Sequence, residues 1–275
     1  MLHSTKGIVL HSIKFSETSL IVKIYTELFG IQSYLLKGVR SPRSKVRPGL
    51  FQPLTLLDLV VYHREKHTLQ TVKEIRLAHP YHSIPFDIRK SSVVLFLNEL
   101  LYQSIREEEP NAGLFEFIWN SCTFLDKTAE PVSGFHLSFA IHLCHHLGIF
   151  PNSNYSLQHP FFNLREGIFQ ASVPDHPHFL DPENSKLFYH LLTTPFLPAE
   201  ILTATPPPGR GDMRDHDPLG TQTPKVNEGN PEPETRNLKP AARSRLLETV
   251  LLYYQLHLPG FKGLQSHHIL HTVLS

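Results

Sequence analysis

The hydrophobic period of this chain changes once, near Pro80, and that change limits the folds open to it. Before Pro80 the apolar residues come in short β-branched and aromatic runs at residues 6–12, 19–26, 31–36, 54–63 and 69–76. Leu28, Phe29 and Gly30 supply a turn between the second and third runs. Five short strands with no helix between most of them predict a small closed or nearly closed barrel. After Pro80 the spacing becomes helical. Residues 88–108 place Val93, Leu97, Leu100, Leu101 and Ile105 at helical spacing, and residues 111–129 do the same with Leu114, Phe117, Ile118, Cys122 and Leu125. A third helix is expected over residues 132–147, closed by Gly148, a fourth over 240–257 and a short last one over 266–274. The expected class is α+β: a five-stranded barrel in residues 1–79, followed by an α-helical domain in residues 80–275.

Two segments interrupt the helical part. Residues 151–182 read as a small hairpin over 161–169 followed by irregular chain rich in Pro and His. Residues 203–239 are poor in apolar side chains and dense in Pro, Gly, Asp, Glu and Thr. Such a composition does not bury enough surface to offset its ordering entropy, so this segment is expected to be disordered.

Charge is distributed unevenly. The whole chain carries a net +1, but residues 1–76 hold twelve Lys/Arg against five Asp/Glu, a net of +7, and the remainder holds 14 against 20, a net of −6. Five of the cations, Lys37, Arg40, Arg43, Lys45 and Arg47, fall in residues 37–49 with no acid among them. Gly38, Pro42, Pro48 and Gly49 break helix and strand there, so these charges sit on a loop. A loop with many charges, small residues and Ser hydroxyls suits phosphate; a loop that only keeps the protein soluble has the same composition. Phe15, Tyr25, Phe29, Tyr34, Phe51 and Tyr62 lie in or beside the β-region. On a nucleic-acid-binding barrel such rings stack on bases, and Tyr34, close before the loop, is the first candidate. A five-stranded barrel with a basic loop is the general description of an OB-fold, and an SH3-like barrel of equal length has the same pattern.

Other chemistries find little support. Cys122 and Cys144 define neither a disulfide framework nor a four-cysteine zinc site, and read as reduced, buried thiols of a cytoplasmic protein. The first ten residues do not read as a signal peptide, and no apolar run reaches the roughly 18 residues of a membrane span. His136, His142, Cys144, His145 and His146 cluster near the end of the third helix. His142 and His146 share a face as zinc ligands do, but the glutamate of an HExxH motif is missing, and histidines lining a helix end account for the pattern equally. There is no phosphate-binding GxxxxGK[ST] run, no GxSxG and no acid pair apart from surface carboxylates such as Glu107, Glu108 and Glu109. No catalytic residue, cofactor or metal is expected.

Four stretches together carry a resemblance: GIVL, SETSLIVKIYTELFG, LLKGVRSPRSK and LFQPLTLLDLVVY, in that order. They resemble the N-terminal domain of the RecO family of DNA repair proteins. FAIHLCHHLGIFPN and RSRLLETVLLYYQLHLPGFKGLQSHHIL resemble the family's later helices. The resemblance implies an OB-fold followed by an α-helical domain. It implies a non-catalytic recombination mediator that binds single- and double-stranded DNA and anneals complementary strands. Such a mediator helps load recombinase onto strands coated by single-strand-binding protein, with RecR as a partner, in the cytoplasm at the nucleoid. It also implies that Lys37, Arg40, Arg43 and Lys45 lie on DNA. Many family members carry a four-cysteine zinc site in the insertion, whereas residues 151–182 contain no cysteine, so the hairpin is expected to be held by apolar packing. Two rival readings remain at this stage: an OB-type RNA-binding or translation-associated module, and a metallo-hydrolase built on His142 and His146. Purified protein is expected to contain no stoichiometric zinc. Elemental analysis that finds about one zinc per chain would reverse this reading and point back to the His142/His146 pair.

Overall fold

The computed structural model describes all residues except 42–43, 45–46, 65–66, 107–108, 198–238 and 275. The segment expected to be disordered therefore lies, but for Lys239, outside the described residues. The N-terminal part is a closed barrel of β1 (Leu2–Lys14), β2 (Leu20–Thr26), β3 (Gly30–Leu36), β4 (Leu56–Tyr62) and β5 (Leu69–Leu77). The strands run around it in the order β1-β2-β3-β5-β4. β3 and β5 pair in parallel, from Ser33 opposite Leu69 to Leu35 opposite Thr71, and the other pairs are antiparallel. This is the OB-fold arrangement. β1 is longer than its alternating core suggests because it serves two neighbours: residues 2–8 pair with β4 and residues 7–14 with β2. The register shifts between Val9 and His11, and such a bulge lets one strand bend from one partner to the other.

Both faces of the barrel wall are buried in places, and so strict alternation is lost. Val9, Val22, Ile24, Tyr34, Leu36, Leu57, Leu59 and Val61 fill the interior. Ile8, Leu10, Tyr25, Leu54 and Leu56 instead join the core of the helical part, which makes that core continuous with the outer wall of the barrel.

The helices are α1 (Ile88–Ser104), α2 (Ala112–Lys127), α3 (Phe135–His146), α4 (Pro182–Thr193), α5 (Pro240–His257) and α6 (Ser266–Leu274). Asp87 caps α1 by accepting from the N–H groups of Arg89 and Lys90, and Asn111 caps α2 by accepting from Leu114. α1 stops at Ser104, short of the expected 108, because Ile105 adopts extended backbone and buries its side chain. α4 begins where the expected irregular chain ends and runs through residues for which the hydrophobic pattern predicts no element. Its start signals are nevertheless present, with Asp181 at the N-cap accepting from the Asn184 N–H and Pro182 in the first turn. Among the described residues no helix is long and apolar enough to cross a membrane.

The insertion forms a three-stranded sheet, with β6 (Phe161–Asn163) between β7 (Ile168–Gln170) and β8 (Phe179–Leu180). Phe162 is buried against Phe188 of α4 and Tyr253 of α5, and Phe169 is buried against Phe162 and against Tyr189 of α4. The expected apolar packing is what holds it. Its residues do not suit zinc: it has no cysteine, and among the described residues no three His, Cys, Asp or Glu side chains are grouped to hold a metal ion.

Barrel and helices meet at a polar junction. The Asp126 carboxylate, at the end of α2, accepts from the N–H groups of His82, Ser83 and Ile84 and touches the His79 ring. Lys90, 6% exposed, donates to the Ser83 hydroxyl at 2.7 Å and to the carbonyls of Asp126 and Thr128 at 3.2 and 2.7 Å. Two further bonds cross the junction, from the Tyr81 hydroxyl to the Leu54 carbonyl and from the Tyr25 hydroxyl to the Asn111 carbonyl. Burial alone would raise the Asp126 carboxyl, but the donors from residues 82–84 and His79 outweigh it and pull its pKa from 3.8 to about 2. The carboxylate therefore stabilises the fold above pH ~4 and loses that contribution, about 2 kcal/mol, as pH falls towards 2. Asp126→Ala is expected to lower stability by ~3 kcal/mol at neutral pH, since it strands one buried and two part-buried N–H groups, and to flatten the acid limb of the stability profile. Denaturant titrations of both proteins across the acid range check this.

Candidate nucleic-acid interface

The cationic loop begins where β3 ends. Gly38 has φ +72°, a left-handed conformation that lets the chain turn so that the Ser41 N–H reaches the Gly38 carbonyl. Val39 is 5% exposed and Phe51 3%, and both enter the apolar interior of the barrel, so the loop is pinned at each end. A 3₁₀ turn over Pro48–Phe51 carries the chain back to the wall, where the Ser12 hydroxyl donates to the Phe51 carbonyl. Lys37 just before the first anchor, and Arg40 and Arg47 between the two, are exposed. Arg43 and Lys45 lie outside the described residues.

Arg40 has a second role. Its backbone N–H donates to the Thr18 carbonyl at 3.0 Å, and its guanidinium donates to the carbonyls of Ser16 and Glu17 at 3.5 and 3.3 Å. These bonds tie the loop to the turn between β1 and β2, so the two stand side by side on one surface. That turn exposes Phe15 and Lys14, whose exposed pair with Glu17 contributes little. The sequence counts Lys14 in the basic excess but cannot show that it stands beside the loop; only the Arg40 contacts place it there.

The aromatic residues divide. Tyr34 is fully buried in the barrel interior, and burial pushes its phenol well above the ordinary value. The reading of Tyr34 as a base-stacking residue is therefore corrected. A ring that would have to leave the barrel to meet a base is a core residue. Tyr25 and Phe51 are buried as well, Phe29 stacks on His63 with centroids 3.9 Å apart, and Phe15 and Tyr62 are exposed.

The histidine cluster is engaged elsewhere. The His142 Nδ1 lies 2.9 Å from the Ser138 carbonyl and its ring stacks on Phe196, His145 stacks on Phe150, and His146 lies against Phe117. Burial lowers the pKa of all three, and burial followed by the charge of Arg243 lowers that of His136 to about 3. Burial also pushes the Cys122 and Cys144 thiols up to about 12, far from a reactive thiolate at neutral pH.

Comparison with known proteins agrees with this architecture. Residues 1–81 match the family described as Recombination protein O N terminal, and residues 85–207 match Recombination protein O C terminal. The chain is 32% identical over 277 residues to a DNA repair protein RecO of Flavobacterium psychrophilum, covering 98% of each. It is 31% identical over 275 residues to that of Phocaeicola vulgatus, covering 100% of each, and 33% identical over 274 residues to that of Christiangramia forsetii, covering 99% of each.

If Tyr34 belongs to the core, Tyr34→Leu lowers stability by ~2 kcal/mol and leaves affinity for single-stranded DNA unchanged well below the melting transition. Oligonucleotide titration beside thermal melting checks this. A loss of affinity in a folded variant would restore the stacking role.

Proposed function

Since the chain belongs to the RecO family of DNA repair proteins, we propose that it is a non-catalytic recombination mediator that captures DNA by its phosphates. It binds single- and double-stranded DNA, anneals complementary strands, and helps load recombinase onto strands coated by single-strand-binding protein, with RecR as its partner at the nucleoid. The observation that carries this reading is the pinned cationic loop. Lys37, Arg40 and Arg47 are exposed on a segment whose apolar anchors, Val39 and Phe51, lock it to the barrel. Cations held in place by the fold lose less entropy on meeting phosphate than cations on a floppy loop. Neutralising phosphates releases counterions, and reducing the charge on both strands favours their close approach. Arginine and lysine without an Asn or Gln beside them favour phosphate contact over the reading of adenine.

Changing Arg40, Arg43 and Lys45 together to Ala is expected to weaken binding alike on unrelated sequences. The slope of log K against log salt should become shallower by ~0.7 for each lost contact on single strands. Because Arg40 also ties down the β1–β2 turn, the melting temperature is measured first. An intact fold with unchanged affinity and slope would reduce the loop to a solubilising surface. A strand-annealing assay with and without single-strand-binding protein tests the mediator role directly.

A further inference from the structure

Beyond the loop, the outer face of β2 and β3 runs into a polar groove of about 670 Å³ between the barrel and the end of α1. Its lining holds Lys23 and Ser33 from the barrel, His67 from the β4–β5 connection, and Tyr102 and Arg106 at the far wall, with no Asp or Glu among the described lining residues. Lys23 and Ser33 are directly paired across β2 and β3, and both point outward because their neighbours Val22, Ile24 and Tyr34 fill the interior. The Lys23 ammonium sits 5.1 Å from the centroid of the Tyr102 ring, which is 39% exposed. Arg106 is exposed just past the end of α1, and its guanidinium lies over Gly260, where any β-carbon would come within 2.8 Å of it. Glycine at 260 thus leaves room for the Arg106 guanidinium beside the groove. Neither Lys23 nor Arg106 makes an ion pair with a described acid.

The groove and the loop share one face. Ser33 and Leu35 lie at alternate positions on the outer side of β3, and Lys37 directly follows the strand's last residue, Leu36; four residues of near-extended chain, from Ser33 to Lys37, span about 13 Å. The geometry points to one continuous path for a single DNA strand, from Lys37 and Arg40 along the outer face of β2 and β3 into the groove, where Lys23 and Arg106 hold phosphate and Tyr102 meets a base. This inference rests on the DNA-binding reading above and extends it: the strand leaves the barrel and ends on the helical part. The site size then reaches past the loop, within the ~4–16 nucleotides that a single OB-fold covers. Cations, an exposed ring and hydroxyl donors, with no acid among the described lining residues, are the combination that binds single strands without regard to sequence.

The test compares oligothymidylates of increasing length on the full chain, on K23Q/R106Q and on a loop variant, K37A/R40A. The loop variant weakens every length. K23Q/R106Q leaves the shortest oligomers unchanged and weakens the longer ones by about five-fold per cation at ~0.1 M salt. Equal affinity at every length, or a loss independent of length, overturns the path while leaving the loop reading standing; wild-type protein that binds no oligomer removes both. Photocrosslinking of the unaltered protein to iodouracil-containing strands gives a readout independent of any folding defect in the variants. A crosslinked peptide containing Tyr102 is expected, and crosslinks confined to residues 37–51 overturn the proposal.

Discussion

The Asp126 carboxylate is the interaction on which the arrangement of the two halves depends. Residues 79–84 leave the barrel with backbone donors that neither sheet nor helix satisfies. A buried carboxylate at the end of α2 takes three of them. Lys90 answers from the other side by donating to carbonyls at the α2 terminus, which the helix itself leaves unpaired. Each charged group is buried because it is hydrogen-bonded; remove one and its own partners lose their bond at the junction. Since α1 starts at this node, the node also sets where its far end, with Tyr102 and Arg106, meets the barrel.

The loop shows how a small barrel anchors the two ends of a charged segment at its rim. Cations and serines have no reason to order themselves, and an arginine in a flexible loop loses rotamer freedom on meeting a ligand. Here two apolar side chains, Val39 and Phe51, do the ordering, and the guanidinium of Arg40 fastens the neighbouring turn. The interior explains the fate of the aromatics. Five strands enclose a space that must be filled at crystal-like density, and Tyr34 is among the few residues large enough to fill it.

The insertion solves a stability problem without metal ligands. Three strands of two or three residues cannot stand alone. Phe162 and Phe169 key them to α4 and α5, the Tyr253 hydroxyl donates to the Ile149 carbonyl, and Asn154 bonds both ways with the backbone of Phe169. The sheet is held by aromatic packing on a helix that the hydrophobic pattern does not predict.

Local order determined what the sequence could show. Strand runs before Pro80, helical stripes after it, the turn glycines and the basic loop are all written in residues a few positions apart, and the barrel, the helices and the charged rim followed from them. Tertiary structure decided the rest, because it depends on groups distant in the chain. Whether Tyr34 points in or out turns on the pleat of a closed barrel, since a one-residue shift in register inverts every side chain. The end of α1 at Ser104 turns on where Ile105 finds a core, and α4 turns on the sheet that receives Phe188. Lys23 and Arg106 stand more than eighty positions apart and look like ordinary surface cations in the sequence. Only the packing of α1 against the barrel, set by Asp126 and Lys90, brings them to one groove.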